Sequence, residues 1–169
     1  MKIEAGLSLG TNLGDRLALL AEAKRRIAAA PGMEVLAQSP VYETEPVGVK
    51  PEYRHLKFLN AVLIVQGCCA PHECFDRLRE IENDMGRKRS LDQYAPRPID
   101  IDLIYADAMT IQSGGLSVPH PHWSERRFVV QPLADVRPGL ILPGQSKTVA
   151  EILRDLPPAE KVVKYADSW

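Results

Sequence analysis

The chain has 169 residues, 45% hydrophobic and 25% charged, with a formal net charge of −1. That is enough for one hydrophobic core, and the balance argues against nucleic acid or an anionic membrane surface as partner. Its longest apolar runs, such as NAVLIV from Asn60, are far too short to span a bilayer.

The opening MKIEAGLSLG has a charge at Glu4 and lacks the apolar stretch and cleavage site of a signal peptide. We therefore expect a cytoplasmic location. Three cysteines, Cys68, Cys69 and Cys74, match no common zinc spacing, and we expect them reduced and packed in the core or at a helix start.

Residues 2–9 alternate as a first strand with Ile3, Ala5, Leu7 and Leu9 on one face. GTNLGDR then turns into a helix, with Asp15 at its positive end and Leu17, Leu20, Ala21, Lys24 and Ile27 at helical spacing. Pro31–Gly32 stops it. MEVLAQSPVYETE reads as a second strand with a break near Pro40. A long polar loop at 46–57 leads to FLNAVLIVQG, apolar enough to be central in a sheet. A second helix is predicted over Pro71–Met85, its apolar face Phe75, Leu78, Ile81 and Met85, with Gly86 ending it. RKRSLDQYAPR forms a second polar loop, and PRPIDIDLI is a fourth strand.

After Gly114–Gly115 come a short strand, a turn and a helix opening at Ser124 and Glu125. PGLILPG is predicted as a short strand, and TVAEILRDL as a helix capped by Thr148. No repeat or linker divides the chain, so 1–169 is expected to be a single domain. The order strand–helix–strand–strand–helix–strand is that of an α+β, ferredoxin-like sandwich. We expect an antiparallel sheet with helices on one face, and the active site on the loops and the open face.

The strand PRPIDIDLI poses the main question. Alternation puts Ile99, Ile101 and Leu103 on the core side and Asp100, Asp102 and Ile104 on the other. Two carboxylates two residues apart can converge on one metal ion or a metal pair, and all-oxygen ligands suit Mg²⁺. A solvated strand face with charges that deter aggregation is the plain alternative. Arg87, Lys88, Arg89, Arg97, Arg126 and Arg127 surround the pair in sequence. Arginine's planar fork suits phosphate, so the combination points to Mg²⁺ with a polyphosphate. Neither a P-loop nor a Rossmann glycine turn is present, so a nucleotide would be held by side chains and metal.

Five fragments taken together resemble the 6-hydroxymethyl-7,8-dihydropterin pyrophosphokinase family of folate biosynthesis. They are SLGTNLGDR, SPVYETEPVG, FLNAVLIV, GRKRSLDQYAPRPIDIDLI and VPHPHWSERRFVVQPLADV, in that order. The resemblance implies transfer of pyrophosphate from ATP to the pterin's hydroxymethyl oxygen, releasing AMP. It implies two Mg²⁺ ions on Asp100 and Asp102, with Asp102 also orienting the hydroxyl. Arg87 and Arg97 match triphosphate-clamping arginines, with Arg89 on the loop between them. His120 and Arg126 match phosphate contacts, and Leu103 and Ser117 fall where the family lines its adenine pocket. For the pterin the matches are Thr44, Pro46, Val47, Asn60, Asp100 and the stacking pair Phe58 and Phe128. From the residues alone, Phe58 and Phe128 read as core before they read as ligand contacts, and Asn60 as a buried amide whose partners are protein groups or a ligand.

Tyr94–Ala95, Pro98, Ser90 and His122–Trp123 depart from the family's commonest pattern. A monomer acting on small molecules is expected, with the loops at 45–57 and 86–97 closing over the substrates. Two other function classes fit the same residues. A metal-dependent phosphodiesterase would want a further base and a broader basic groove. A non-catalytic ligand-binding module would need only the fold.

Overall fold

The computed structural model describes residues 2–67, 70–88, 91–92, 95–158 and 161–169. In chain order the elements are β1 (Ile3–Thr11), α1 (Arg16–Ala29), β2 (Met33–Gln38), β3 (Val41–Thr44), β4 (Phe58–Gly67), α2 (Pro71–Asp84) and β5 (Asp100–Ala106). There follow β6 (Ile111–Ser113), β7 (Leu116–Val118), α3 (Arg127–Val136), α4 (Val149–Asp155) and β8 (Val162–Ala166). β1, β2, β3, β4, β5 and β8 form one sheet in the order β5-β1-β4-β3-β8, with β2 on β4 beside the start of β3. All its pairings are antiparallel. The expected ferredoxin-like class holds. The strand broken near Pro40 is β2 and β3, both paired to β4 on either side of Ser39–Pro40.

Local chemistry accounts for most boundaries. The Asp15 carboxylate accepts from the Ala18 N–H at 3.1 Å and starts α1. Pro71 occupies the first turn of α2, where its missing N–H costs nothing. Thr148 and Glu151 cap each other at α4, as a capping box. α3 begins at Arg127, three residues later than predicted, because Trp123–Glu125 form a 3₁₀ turn first.

One core lies between the sheet and α1 and α2. Ala5, Leu7 and Leu9 from β1 and Ile101 and Leu103 from β5 meet Leu20, Ile27 and Leu78 there, all buried. Cys74 belongs to this core, whereas Cys68 and Cys69 lie outside the described residues. The predicted free face is only partly free. Val62, Ile64, Ile104 and Tyr105 pack beneath Trp123, Val129, Leu133 and Ile152 in a second core. α3 and α4 therefore cover one end of that face, which is why β4 is apolar on both sides.

The predicted PGLILPG strand is coil: Leu142 docks into the second core, but no neighbouring strand receives the segment. β6 and β8 are strands that the sequence pattern did not suggest. At Gly6 the Tyr105 ring crosses the backbone so closely that a Cβ would lie 2.3 Å from its Cε1. Among the described residues no helix is long and apolar enough to cross a membrane.

Candidate active site

The part of the sheet left open by α3 and α4 carries a cavity of about 380 Å³. Its floor follows the strand register. Asp100 lies opposite Gly10, Gly10 opposite Asn60, and Asn60 opposite Tyr42. In the next row Asp102 faces Ser8. Because alternate residues share a face, β5 presents Asp100 and Asp102 here while Ile101 and Leu103 stay in the first core. Gly10 keeps the floor low, since a Cβ would meet Asn60 Oδ1 at 3.3 Å.

One wall is ionic. Arg97 Nη1 donates to Asp100 Oδ2 at 3.0 Å, and Arg87 Nη1 donates to Asp100 Oδ1 and to Glu82 Oε1. Glu82 is 2% exposed and also accepts the Ile101 N–H at 2.6 Å, which ties α2 to the base of β5. Burial is the largest influence on its carboxyl and pushes it up to about 7. Burial, followed by the neighbouring Asp100 charge, pushes Asp102 up to about 6. Arg87, Arg126 and Arg97 pull it the other way. Burial and then Arg126 lower His120.

The other wall is apolar and amide-bearing. Phe58, Phe128, Val47, Gly48 and Val49 line it, and the Asn60 amide donates to Thr44 Oγ1 at 2.8 Å. The Arg126 guanidinium lies 5.9 Å from the Phe128 ring centroid, so this arginine bridges the two walls. His120 borders a small adjoining recess shared with Ser8, Asp102, Arg126 and Phe128. The two polar loops meet through Lys50 Nζ and Asp92 Oδ2 at 2.6 Å.

Of the residues singled out from the sequence, Thr44, Val47, Phe58, Asn60, Arg97, Asp100, Asp102, Arg126 and Phe128 line the cavity together. Arg87 stands behind Asp100. Pro46 is not among the lining residues, whereas its neighbours Glu45 and Val47 are. Leu103 and Ser117 are also absent from it. Leu103 is 3% exposed and points into the first core, as strand alternation requires, and Ser117 sits on β7. Arg89, Ser90 and Tyr94 lie outside the described residues.

Two site residues escaped the sequence reading. Glu82 shares the buried stripe of α2 with Cys74 and Leu78, so a carboxylate at apolar helical spacing was the available signal. Asn12 gave no such signal. Its Oδ1 accepts the Arg97 N–H at 2.9 Å and pins the approach to β5.

Fold and cleft define an α+β protein whose carboxylates and arginines face an aromatic wall, a chemistry suited to a phosphorylated ligand beside a flat ring. The chain belongs to the 7,8-dihydro-6-hydroxymethylpterin-pyrophosphokinase family, whose sequence model matches residues 6–138. It is 37% identical over 155 residues to the 2-amino-4-hydroxy-6-hydroxymethyldihydropteridine pyrophosphokinase of Methylorubrum extorquens, covering 92% of this chain and 94% of that one. The Bacillus subtilis protein of the same name is 34% identical over 132 residues, 78% of this chain and 77% of its own. The mitochondrial folate synthesis bifunctional protein of Arabidopsis thaliana is 40% identical over 133 residues, 79% of this chain but 23% of that much longer one. A crystal structure of Plasmodium falciparum HPPK-DHPS superposes with a TM-score of 0.70 over 91% of this chain and 42% of that one. At 15% identity that likeness speaks for the fold.

Proposed function

We propose that this protein transfers the terminal diphosphate of MgATP to the hydroxymethyl oxygen of 6-hydroxymethyl-7,8-dihydropterin, giving the pterin diphosphate and AMP in folate synthesis. The observation that carries this reading is one cavity in which Asp100, Asp102, Arg97 and Arg126 face Thr44, Phe58, Asn60 and Phe128, in a member of this family. The hydroxymethyl oxygen forms a bond to the β-phosphorus, the bond from that phosphorus to the α,β-bridging oxygen breaks, and AMP leaves with that oxygen. The hydroxyl proton is released.

The pterin stacks between Phe58 and Phe128, and its donor-and-acceptor edge pairs with Asn60 and Thr44, which already bond each other. Pro46 and Val47 close the loop above it. That places the hydroxymethyl group over Asp100 and Asp102, with Asp102 orienting the hydroxyl. Arg87 and Arg97 hold Asp100 in the ligand-free protein. Phosphate oxygens offer the same charge-assisted bonds, so the arginines exchange a carboxylate for the incoming triphosphate and stabilise charge on the β-phosphoryl group. His120 and Arg126 meet the triphosphate from the C-terminal side, Arg89 from the loop, and Ser117 borders the base.

The donor set fits Mg²⁺. Two carboxylates crowd one strand face, burial and then Asp100 raise the Asp102 carboxyl, and the described residues contain no group of three or more His, Cys, Asp or Glu side chains suited to a metal. A hard cation that keeps waters and takes its other ligands from phosphates matches this supply, and Asp100 and Asp102 would hold two such ions. When bound they would neutralise the triphosphate and polarise its β-phosphorus. A small-molecule substrate pair requires no second subunit, and we propose a monomer acting in the cytoplasm. A cavity of about 380 Å³ with one aromatic and one ionic wall supports a compact ring beside a charged group. That counts against a phosphodiesterase with a broad basic groove, and an intact carboxylate–arginine set counts against a purely binding module.

The test is product identity. With MgATP the protein should form AMP only when the dihydropterin is present, without free pyrophosphate. Asp100→Ala should abolish this and leave the fold intact. ADP as product would refute pyrophosphoryl transfer, and an active Asp100→Ala/Asp102→Ala double variant would refute the metal assignment.

A further inference from the structure

The family match ends at residue 138, yet the chain returns to the sheet beyond it: β8 pairs with β3 along its outer edge. Thr44 lies opposite Val162 and Glu43 opposite Val163 on that edge, while on the other edge of β3 Thr44 lies opposite Phe58. β3 is thus held between the C-terminal strand and the strand that carries Phe58 and Asn60.

Arg16 joins these pieces. Its Nη1 donates to the Lys57 carbonyl at 2.9 Å and its Nη2 to Glu43 Oε2 at 2.9 Å. Glu43 precedes the 45–57 loop and Lys57 ends it, so one guanidinium spans both feet of the loop. Lys57 Nζ in turn reaches Glu45 at 3.0 Å. The Arg16 guanidinium lies 5.7 Å from the centroid of the Tyr165 ring, which stands on β8 and is 51% exposed. At the end of the chain Trp169 Nε1 donates to the Ser39 carbonyl at 2.8 Å, with Lys24 Nζ 4.8 Å from its ring centroid.

We infer that the C-terminal segment is a clasp for the wall of the cavity that carries Thr44, Phe58 and Asn60, and that Tyr165 is a positioning residue for the ligand bound there, acting through Arg16. None of these tail residues touches the cavity. Their effect is confined by the sheet order: β8 is the edge strand beside β3, and β5, with its carboxylates, is the opposite edge. Loosening the clasp therefore disturbs the ring-binding wall and leaves the phosphate wall in place. In naming the ligand as the dihydropterin, the inference rests on the function proposed above.

The experiment compares wild type, Tyr165→Ala and Tyr165→Phe in two measurements. Amide hydrogen exchange on the ligand-free protein reads the clasp without reference to activity. Tyr165→Ala should speed exchange at the amides of 43–45 and 57–60 by about fivefold, the equivalent of one exposed cation–π contact, and leave 101–106 unchanged. Steady-state kinetics should show the KM for the dihydropterin raised about fivefold, with kcat and the KM for MgATP altered by less than about twofold. Tyr165→Phe keeps the ring and should match wild type in both. Unchanged exchange at 43–45 and 57–60 overturns the clasp, and so does an equal rise in both KM values, which would mean general loosening. If wild type makes no dihydropterin-dependent AMP, the proposed reaction fails instead, and the exchange comparison alone decides whether the clasp stands.

Discussion

Replacing Asp102 with Asn removes a half-buried charge from the cavity floor and keeps the side chain's shape. In the folded, metal-free protein the Asp102 carboxyl is pushed from 3.8 up to about 6, chiefly by burial and then by Asp100. A carboxyl whose folded value lies above its unfolded value favours the folded state while protonated and opposes it once ionised. Folding is therefore penalised fully above pH 6 and not at all below about pH 4. A shift of roughly two units corresponds to about 3 kcal/mol at pH 8, falling to about half of that at pH 5. Local relaxation reduces both figures, so a gain of about 2 kcal/mol for Asp102→Asn at pH 8 is the expected outcome. The assay is urea unfolding of wild type and variant at pH 8 and pH 5, with chelator present throughout. The variant should be the more stable at pH 8, by a margin that shrinks by about half at pH 5, and it should form no AMP. A variant less stable than wild type at pH 8, or a margin that does not depend on pH, would refute the assignment of Asp102 as a charge that its surroundings disfavour.

Three further outcomes follow from the packing. Gly6→Ala sets a Cβ 2.3 Å from Tyr105 Cε1, and the ring is held by a 2.7 Å bond from its hydroxyl to Glu4, so the urea midpoint should drop by the equivalent of about 2 kcal/mol or more. Arg87→Leu strips Glu82 and Asp100 of their shared cation; it should destabilise the protein and raise the KM for MgATP at least tenfold by order of magnitude. Adding Glu82→Gln should recover stability but not the KM, which separates the structural role of the pair from its phosphate role. Thr148→Ala removes the acceptor for the Glu151 N–H at the start of α4 and should cost about 1 kcal/mol in thermal or urea unfolding, with turnover unchanged.

Much of this site was legible because strand alternation is a short-range property. Ile99, Ile101 and Leu103 against Asp100 and Asp102 settle which side chains enter the core and which stand in the cavity, whatever the rest of the chain does. Helix starts at Asp15, Pro71 and Thr148 were legible for the same reason, since a cap needs only residues within one turn. What could not be read is whatever depends on partners distant in sequence. VVKYA is a strand because the edge of β3 offers it hydrogen bonds, whereas the apolar LIL of PGLILPG finds no such edge and stays coil. Leu103 looks like a ligand contact by sequence position, yet the fold buries it on the far side of β5. Glu82 becomes a site residue only once α2 packs against β5, and Arg16 spans a loop only because Glu43 and Lys57 are brought together by β3 and β4. Local periodicity decides which way a side chain points; the meeting of chain segments tens of residues apart decides what it touches.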